Sequence, residues 1–491
     1  MNKYIPILLS LALILNACND WFDIQPKGSE IDEERLFSDE DAFLNALAGI
    51  YTQLRENSLY GEQLSVYALE FMAQNFVPDN EATASLTTYT YSTGENQKII
   101  RNIWMNMYNA IAACNKALEH ILKTDIIFNF TNQREIITGE LYALRGALHF
   151  ELLRMFHPHP SVDASFKGIP YMKTFGTQTG PALSTAEVLE YIIQDLKQAE
   201  KLLYKTDPLF LATNASSDDQ PGKLSRKLRT FHMNYYAVTA ELSRIYLYKK
   251  EYQEAYNYAD STFNHIRKMN EAYQIFYYFG PGKYNSDKSF SREHIFGIAS
   301  GPTGLTQVAE GLFKTRQIEA RRDFTTIYPS VKDTRYRDWF TLKANTADQF
   351  ILSEKFSRES LLSGYSSTSN EAKELPVRIP FIKLGEVALI AAEALNELNR
   401  TNEAAEWIIE LQNNRDISFV KDMKTAGTLT KTGLQQEIRA EYHREFYGEG
   451  QLFFFHKRMN DTQLTRYDGT LADMPAANYT FPIPANGLSV K

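Results

Sequence analysis

A mostly helical fold, built from antiparallel helix pairs and carrying long irregular loops, is the class this sequence predicts. Three observations predict it: apolar residues recur at helical spacing over long segments, one spacing of small and large residues occurs twice, and several stretches between them show no period. The 491 residues are 44% hydrophobic, 23% charged and 13% aromatic, so the chain can bury a sizeable core. Wholesale disorder and a many-pass membrane protein are both excluded. The net charge is −8 and no basic stripe occurs, which excludes nucleic acid as a partner.

The chain opens with Lys3, an apolar run from Ile5 to Leu15, and then Asn16-Ala17-Cys18. This is the layout of a signal peptide over residues 1–17, and its apolar run falls short of the roughly 20 residues a membrane span needs. Leu15-Asn16-Ala17-Cys18 resembles the bacterial lipobox, in which the cysteine is acylated, so Cys18 is the expected lipidation site. Cys114 is the only other cysteine; with Cys18 lipidated it has no partner, and its place in a helical stripe suits a small buried residue. Residues 18–40 are polar and acidic, broken by Pro26 and Gly28, and read as a tether.

Asp41–Leu54 sets Phe43, Leu47, Ile50 and Leu54 on one helical face. Asn102–Leu122 repeats this with Trp104, Tyr108, Ile111, Leu118 and Leu122, and Thr131–Phe156 forms a second long helix that must stop at His157 before Pro158 and Pro160. Ser184 and Glu187 form a capping box that opens a helix to Leu203. Ser243, Tyr246, Ala255 and Ala259 then stand at offsets matched by Ala392, Leu395, Ala404 and Ile408. Small, large, small and apolar residues at those offsets are the tetratricopeptide pattern, in which a small residue lets paired helices approach closely. Helix pairs are therefore expected over about 102–156, 184–266 and 380–415. Loops are expected over about 75–101, 207–224 and 273–380, and their aromatic content argues for order.

Catalytic signatures are absent: there is no Gly-x-Ser-x-Gly, His-Glu-x-x-His or phosphate loop. His157-x-His159 lacks neighbouring ligands to complete a metal site and reads as a helix-ending loop. Glu441, His443, Arg444, Glu445 and Glu449 suit a surface or inter-helix salt-bridge network. Saccharide binding is better served, since a sugar needs flat apolar platforms for its C–H face beside donors and acceptors for its rim. The loop 75–101 offers Asn80, Glu81, Tyr89, Tyr91, Asn96 and Arg101; Tyr273–Asp287 offers Tyr277, Tyr278, Tyr284, Asn285 and Asp287; Trp339 is a third source. Of these, Asn80, Tyr89, Tyr91, Tyr278, Tyr284 and Trp339 are the expected ligand-binding residues.

Read in order, WFDIQPKGS, LNALAGIYTQL, IWMNMYNAIAACNKAL, GELYALRGALHFELLRMF, FKGIPYM, EHIFGI, DTRYRDWF, IPFIKLGEVALIAAEALNEL, IRAEYHREFYGEGQLFFFHKR and FPIPANG resemble the SusD/RagB family of Bacteroidetes surface lipoproteins. The resemblance implies one domain over 41–491, a tetratricopeptide-like helical-repeat scaffold whose irregular loops form a ligand-binding face. It also implies a lipid-anchored protein on the outer membrane, facing the cell exterior. Such a protein captures an oligosaccharide or polysaccharide and delivers it to a SusC-like TonB-dependent transporter, with no catalysis, cofactor or metal. A tetratricopeptide-like protein–protein adaptor of the envelope, or a binder of peptides, is the alternative.

Overall fold

The protein was analysed as a computed structural model, which describes residues 37–129, 131–176, 180–210, 228–273, 275–276, 278, 287–301, 304–357 and 377–485. Cys18, the signal segment and most of the tether, Tyr277, Tyr284, Asn285 and most of 207–224 lie outside them. Among the described residues no helix is long and apolar enough to cross a membrane.

Helix α1 (Glu40–Leu54) starts where Asp39 accepts the Ala42 N–H, and it buries Phe43, Leu47, Ile50 and Leu54 as their spacing requires. Helices α2 (Gly94–Ile121) and α3 (Gln133–Phe156) run antiparallel. Trp104 meets Phe156 edge to face at 4.7 Å near one end, and Arg134 donates to the Ile121 carbonyl at 2.8 Å near the other. Helix α3 is buried on almost every side because α4 (Thr185–Leu203) covers its remaining face. The approach is close enough that a Cβ on Gly139 would stand 2.8 Å from Leu203. Ser184 and Glu187 close the expected capping box at the start of α4.

The two repeated spacings become two helical hairpins. One joins α5 (Tyr235–Tyr248) to α6 (Tyr252–Tyr273), the other α7 (Leu384–Glu397) to α8 (Thr401–Asn413). Ser243, Ala255 and Ala259 in the first, and Ala392 and Ala404 in the second, are fully buried at the helix contacts. Helix α4 packs on α3 and on α5, and α6 packs on α7, so the helices form a continuous row in which each unit covers the apolar stripe of the next. Helix α9 (Lys431–Phe446) lies across α7, followed by the short α10 (Leu452–Met459). Strands β1 (His294–Ser300) and β2 (Val377–Lys383) pair antiparallel with a register shift between His294 and Gly297, and β2 leads directly into α7.

Three expectations change. The stretch 75–101 is not a loop: a helix spans Glu81–Thr87, capped by Asn80, and α2 begins at Gly94, capped by Thr93. The caps outweigh the polar composition that suggested irregular chain. The segment 184–266 is not one pair, because α4 belongs with α3 while α5 and α6 form their own hairpin. Within 273–380, short helices at Gly304–Ala309, Phe324–Ile327 and Thr334–Trp339 and a small hairpin of Thr341–Leu342 with Phe350–Ile351 replace continuous loop.

Candidate ligand-binding site

Proline ends α3, and that stop shapes one wall of a large cleft. After His157 and Pro158 the chain makes one turn of helix, Pro160–Asp163, and Asp163 then closes the next turn: its Oδ1 accepts from Ser165 N–H (2.9 Å), Ser165 Oγ–H (2.7 Å) and Phe166 N–H (3.1 Å). This leaves Phe166 half-buried with its edge on His157 at 5.3 Å. The opposite wall is the start of α2. Asn96 is buried and donates to Ser85 Oγ (3.0 Å) and the Thr90 carbonyl (2.9 Å), which fixes the helix entry and turns Gln97, Lys98 and Arg101 to the exposed side. The segment Ala476–Ala485 closes the third side. It is held by the Phe481 N–H, which donates to the Met155 carbonyl at 2.9 Å, and by Tyr91, whose hydroxyl donates to the Asn478 carbonyl and whose ring meets Phe481 at 5.5 Å.

The resulting cleft has a volume of about 1110 Å³. Tyr91, Phe166 and Phe481 give it apolar surfaces; Ser92, Gln97, Lys98, Arg101 and Asp163 give it polar groups. Ligand clefts mix a mainly apolar lining with a few placed polar groups in this way. A second hollow of about 320 Å³ holds His443, His456, Arg439 and Asp461, but its charges are spent on each other: Arg439 donates to Asp461 at 2.8 Å, as does His456, and Arg321 pairs with Asp323.

Of the six residues the sequence put forward, only Tyr91 lines the large cleft. Asn80 is exposed but spends its side-chain oxygen on the Thr83 N–H as a helix cap. Tyr89 turns its hydroxyl inward, donating to the Met72 carbonyl (2.8 Å) and accepting from Gln74 (3.0 Å). Tyr278 lies against the α6–α8 region, 5.9 Å from Phe263, with its hydroxyl directed at the Leu384 carbonyl. Tyr284 is outside the described residues. Trp339 is corrected outright: the ring is 0% exposed, its indole N–H donates to the Lys288 carbonyl at 2.6 Å, and Lys355 Nζ stands 3.6 Å from the ring centre. A ring so enclosed offers no platform. Sequence reasoning passed over Phe166, Lys98 and Phe481; the Pro-flanked breaks before Phe166 and within Phe481-Pro482-Ile483-Pro484 were the available signals.

The charged run on α9 is structural and largely buried. Arg335 donates to Glu441 (2.5 Å) and Glu445 (2.8 Å), and Arg415 bridges Glu445 (2.8 Å) and Glu293 (2.7 Å), all five carboxylate and guanidinium partners being sealed from solvent. Burial alone would raise the Glu441 carboxyl, but Arg335 and Arg444 hold it down at about 2. His157 and His159, for their part, hold backbone: His157 Nε2 accepts the Ile169 N–H (2.8 Å), and His159 Nε2 donates to the Tyr248 carbonyl (3.0 Å).

Comparison with known proteins gives a consistent result along the chain. Residues 20–218 match a family described as starch-binding associating with outer membrane, and residues 305–486 match the SusD family. SusD-like protein P38 of Formosa agariphila is 24% identical over 90% of this chain and 88% of its own length, and SusD-like protein P2 of the same organism is 21% identical over 84% and 81%. Among solved structures, a SusD superfamily protein from Bacteroides thetaiotaomicron superposes with a TM-score of 0.69 at 19% identity, covering 92% of this chain and 97% of that one. A SusD-like carbohydrate binding protein from Bacteroides vulgatus gives 0.63 at 18% identity over 87% and 85%.

Proposed function

The chain belongs to the SusD family, and from that premise we propose that it is a carbohydrate-binding protein of the outer membrane whose ligand occupies the cleft between α2, the Pro158–Phe166 segment and the Ala476–Ala485 segment. The observation that carries the reading is the composition of that cleft. Phe166 and Tyr91 offer the C–H face of a sugar a flat apolar surface, and Gln97, Arg101 and Ser92 stand within the same walls to meet its hydroxyls. Its volume matches the upper end of small-molecule sites, about 1000 Å³, so it holds a short oligosaccharide and leaves a longer chain to run out into solvent. Binding there makes and breaks no bond. The lipid on Cys18 would hold the protein at the membrane, and a SusC-like TonB-dependent transporter would receive the captured saccharide; the family's outer-membrane association supports both steps.

The test is binding of the soluble form beginning at Asn19 to a panel of polysaccharides, by retardation in affinity gels followed by calorimetry. Phe166→Ala should weaken binding by about tenfold, the effect of removing one aromatic platform worth roughly 0.5–1.5 kcal/mol beyond its buried area. Unchanged affinity in Phe166→Ala and Gln97→Ala would place the ligand elsewhere.

A further inference from the structure

We propose that the saccharide this cleft takes is acidic, carrying a carboxylate or a sulfate ester that Lys98 and Arg101 receive. The inference rests on the reading of the cleft as the ligand site and adds the chemical class of the ligand. Lys98 and Arg101 are three residues apart on the exposed side of α2, so both reach the same wall of the cleft. Neither makes an ion pair with a carboxylate among the described residues. The wall they face contributes Asp163 alone as a carboxylate, and three hydrogen bonds from its own turn converge on the Oδ1 of that group and help keep it ionised. Asp163 makes no ion pair with either cation among the described residues, and its one negative charge offsets only one of the two positive ones.

The contrast with the rest of the surface gives the observation its weight. The molecule carries a net charge of −8, and many exposed cations are matched: Arg316 with Asp79 (2.6 Å), Arg400 with Glu403 (2.6 Å), Lys197 with Glu200 (3.2 Å). The cleft is thus a cationic spot on an acidic protein. Gly94 also lies in the wall, which brings the first turn of α2 to the cleft, and the partial positive charge of a helix start adds to the same sign. Glu95 sits on that turn but is not a cleft residue. An anion here gains a planar, forked donor from Arg101 and a point charge from Lys98, the pair that suits a carboxylate or sulfate. Gln97 and Ser92 remain for neutral hydroxyls.

The experiment compares matched ligands on the soluble protein. Dextran sulfate is set against dextran, and polygalacturonate against its methyl ester, so that each pair differs in charge alone and the two pairs separate sulfate from carboxylate. Lys98→Gln/Arg101→Gln is run beside Lys332→Gln/Lys421→Gln, which removes two exposed charges outside the cleft. The expected result is binding of at least one acidic member about tenfold or more tighter than its neutral partner, lost in the cleft variant, retained in the control, and weakening with salt. Neutral and acidic members bound alike would overturn the acidic preference and leave saccharide binding standing, as would equal loss in both variants. No binding to any member of this or the wider polysaccharide panel would overturn both.

Discussion

Gly450 shows how little freedom one residue can have. Its φ is +71° and a Cβ there would meet the Leu64 carbonyl oxygen at 2.1 Å, so Gly450→Ala adds backbone strain to a collision with main chain. We expect it to cost upwards of about 3 kcal/mol in chemical denaturation. Gly49, exposed in the middle of α1 with open space where a Cβ would go, is the opposite case: Gly49→Ala should stabilise by about 0.5–1 kcal/mol. Histidine gives a second residue-level prediction. Burial pushes His149 and His157 down to about 3 and His159 to about 4, and His149 uses both nitrogens on backbone, accepting from Met172 N–H (3.0 Å) and donating to the Arg145 carbonyl (2.8 Å). The unfolded chain takes up these protons near pH 6.5, so their stabilisation is complete above that and lost as pH falls toward 3–4. Glu70 and Glu241, lifted to about 7 by burial, run the other way and favour the folded state as they protonate. The clean measurement is therefore a difference: the stability gap between the natural protein and His149→Gln should shrink by about 2 kcal/mol between pH 7 and pH 5. The same residue scale explains what the sequence concealed at the site. Trp339 and Tyr91 both look like loop aromatics, and only the Lys288 carbonyl beneath one and the cleft beside the other separate them; Lys98, in the first turns of a helix, looks like any solvated lysine.

Elements were more legible because their ends are written chemically. The Ser184–Glu187 box, the proline stop after Phe156 and the paired small residues of the two hairpins each carry a local physical signal, and each corresponds to an observed boundary or contact. The start of α2 carried one too, in Thr93, but the polar run before it masked the cap. Long-range electrostatics left no such mark. Glu441 is 106 residues from Arg335, and nothing local in α9 announces that the two are buried together. Replacing one side of a buried ion pair strands the other, so Glu441→Gln should cost about 3–5 kcal/mol by denaturant titration. The low carboxyl of Glu441, and of Glu140, which Arg229 and His232 hold at about 2 against its burial, sets a further acid limit. Their stabilisation is present above the unfolded value near 4.5 and drains away as pH falls toward 2.

For the whole molecule, the row of helix hairpins acts as a frame that places three distant stretches of chain around one cleft. Family membership supports an outer-membrane role for that frame, and Cys18→Ala should move the protein from the membrane fraction to the soluble fraction; retention in the membrane would refute a lipid anchor at Cys18. The architecture also bears on how such a protein changes its diet. Each cleft wall enters and leaves through a scaffold segment with its own anchor: Asn96 for the α2 entry, Asp163 for the turn after α3, and the Phe481–Met155 contact for the last segment. Tyr91 ties the α2 side to Asn478 and Phe481, whereas Asp163 anchors the turn after α3 within itself, so that wall can be rewritten by mutation or recombination while the other two and the frame persist. Selectivity can then drift at that wall through folded intermediates, which makes the turn after α3 the part of the cleft most open to inheritance as a separate piece.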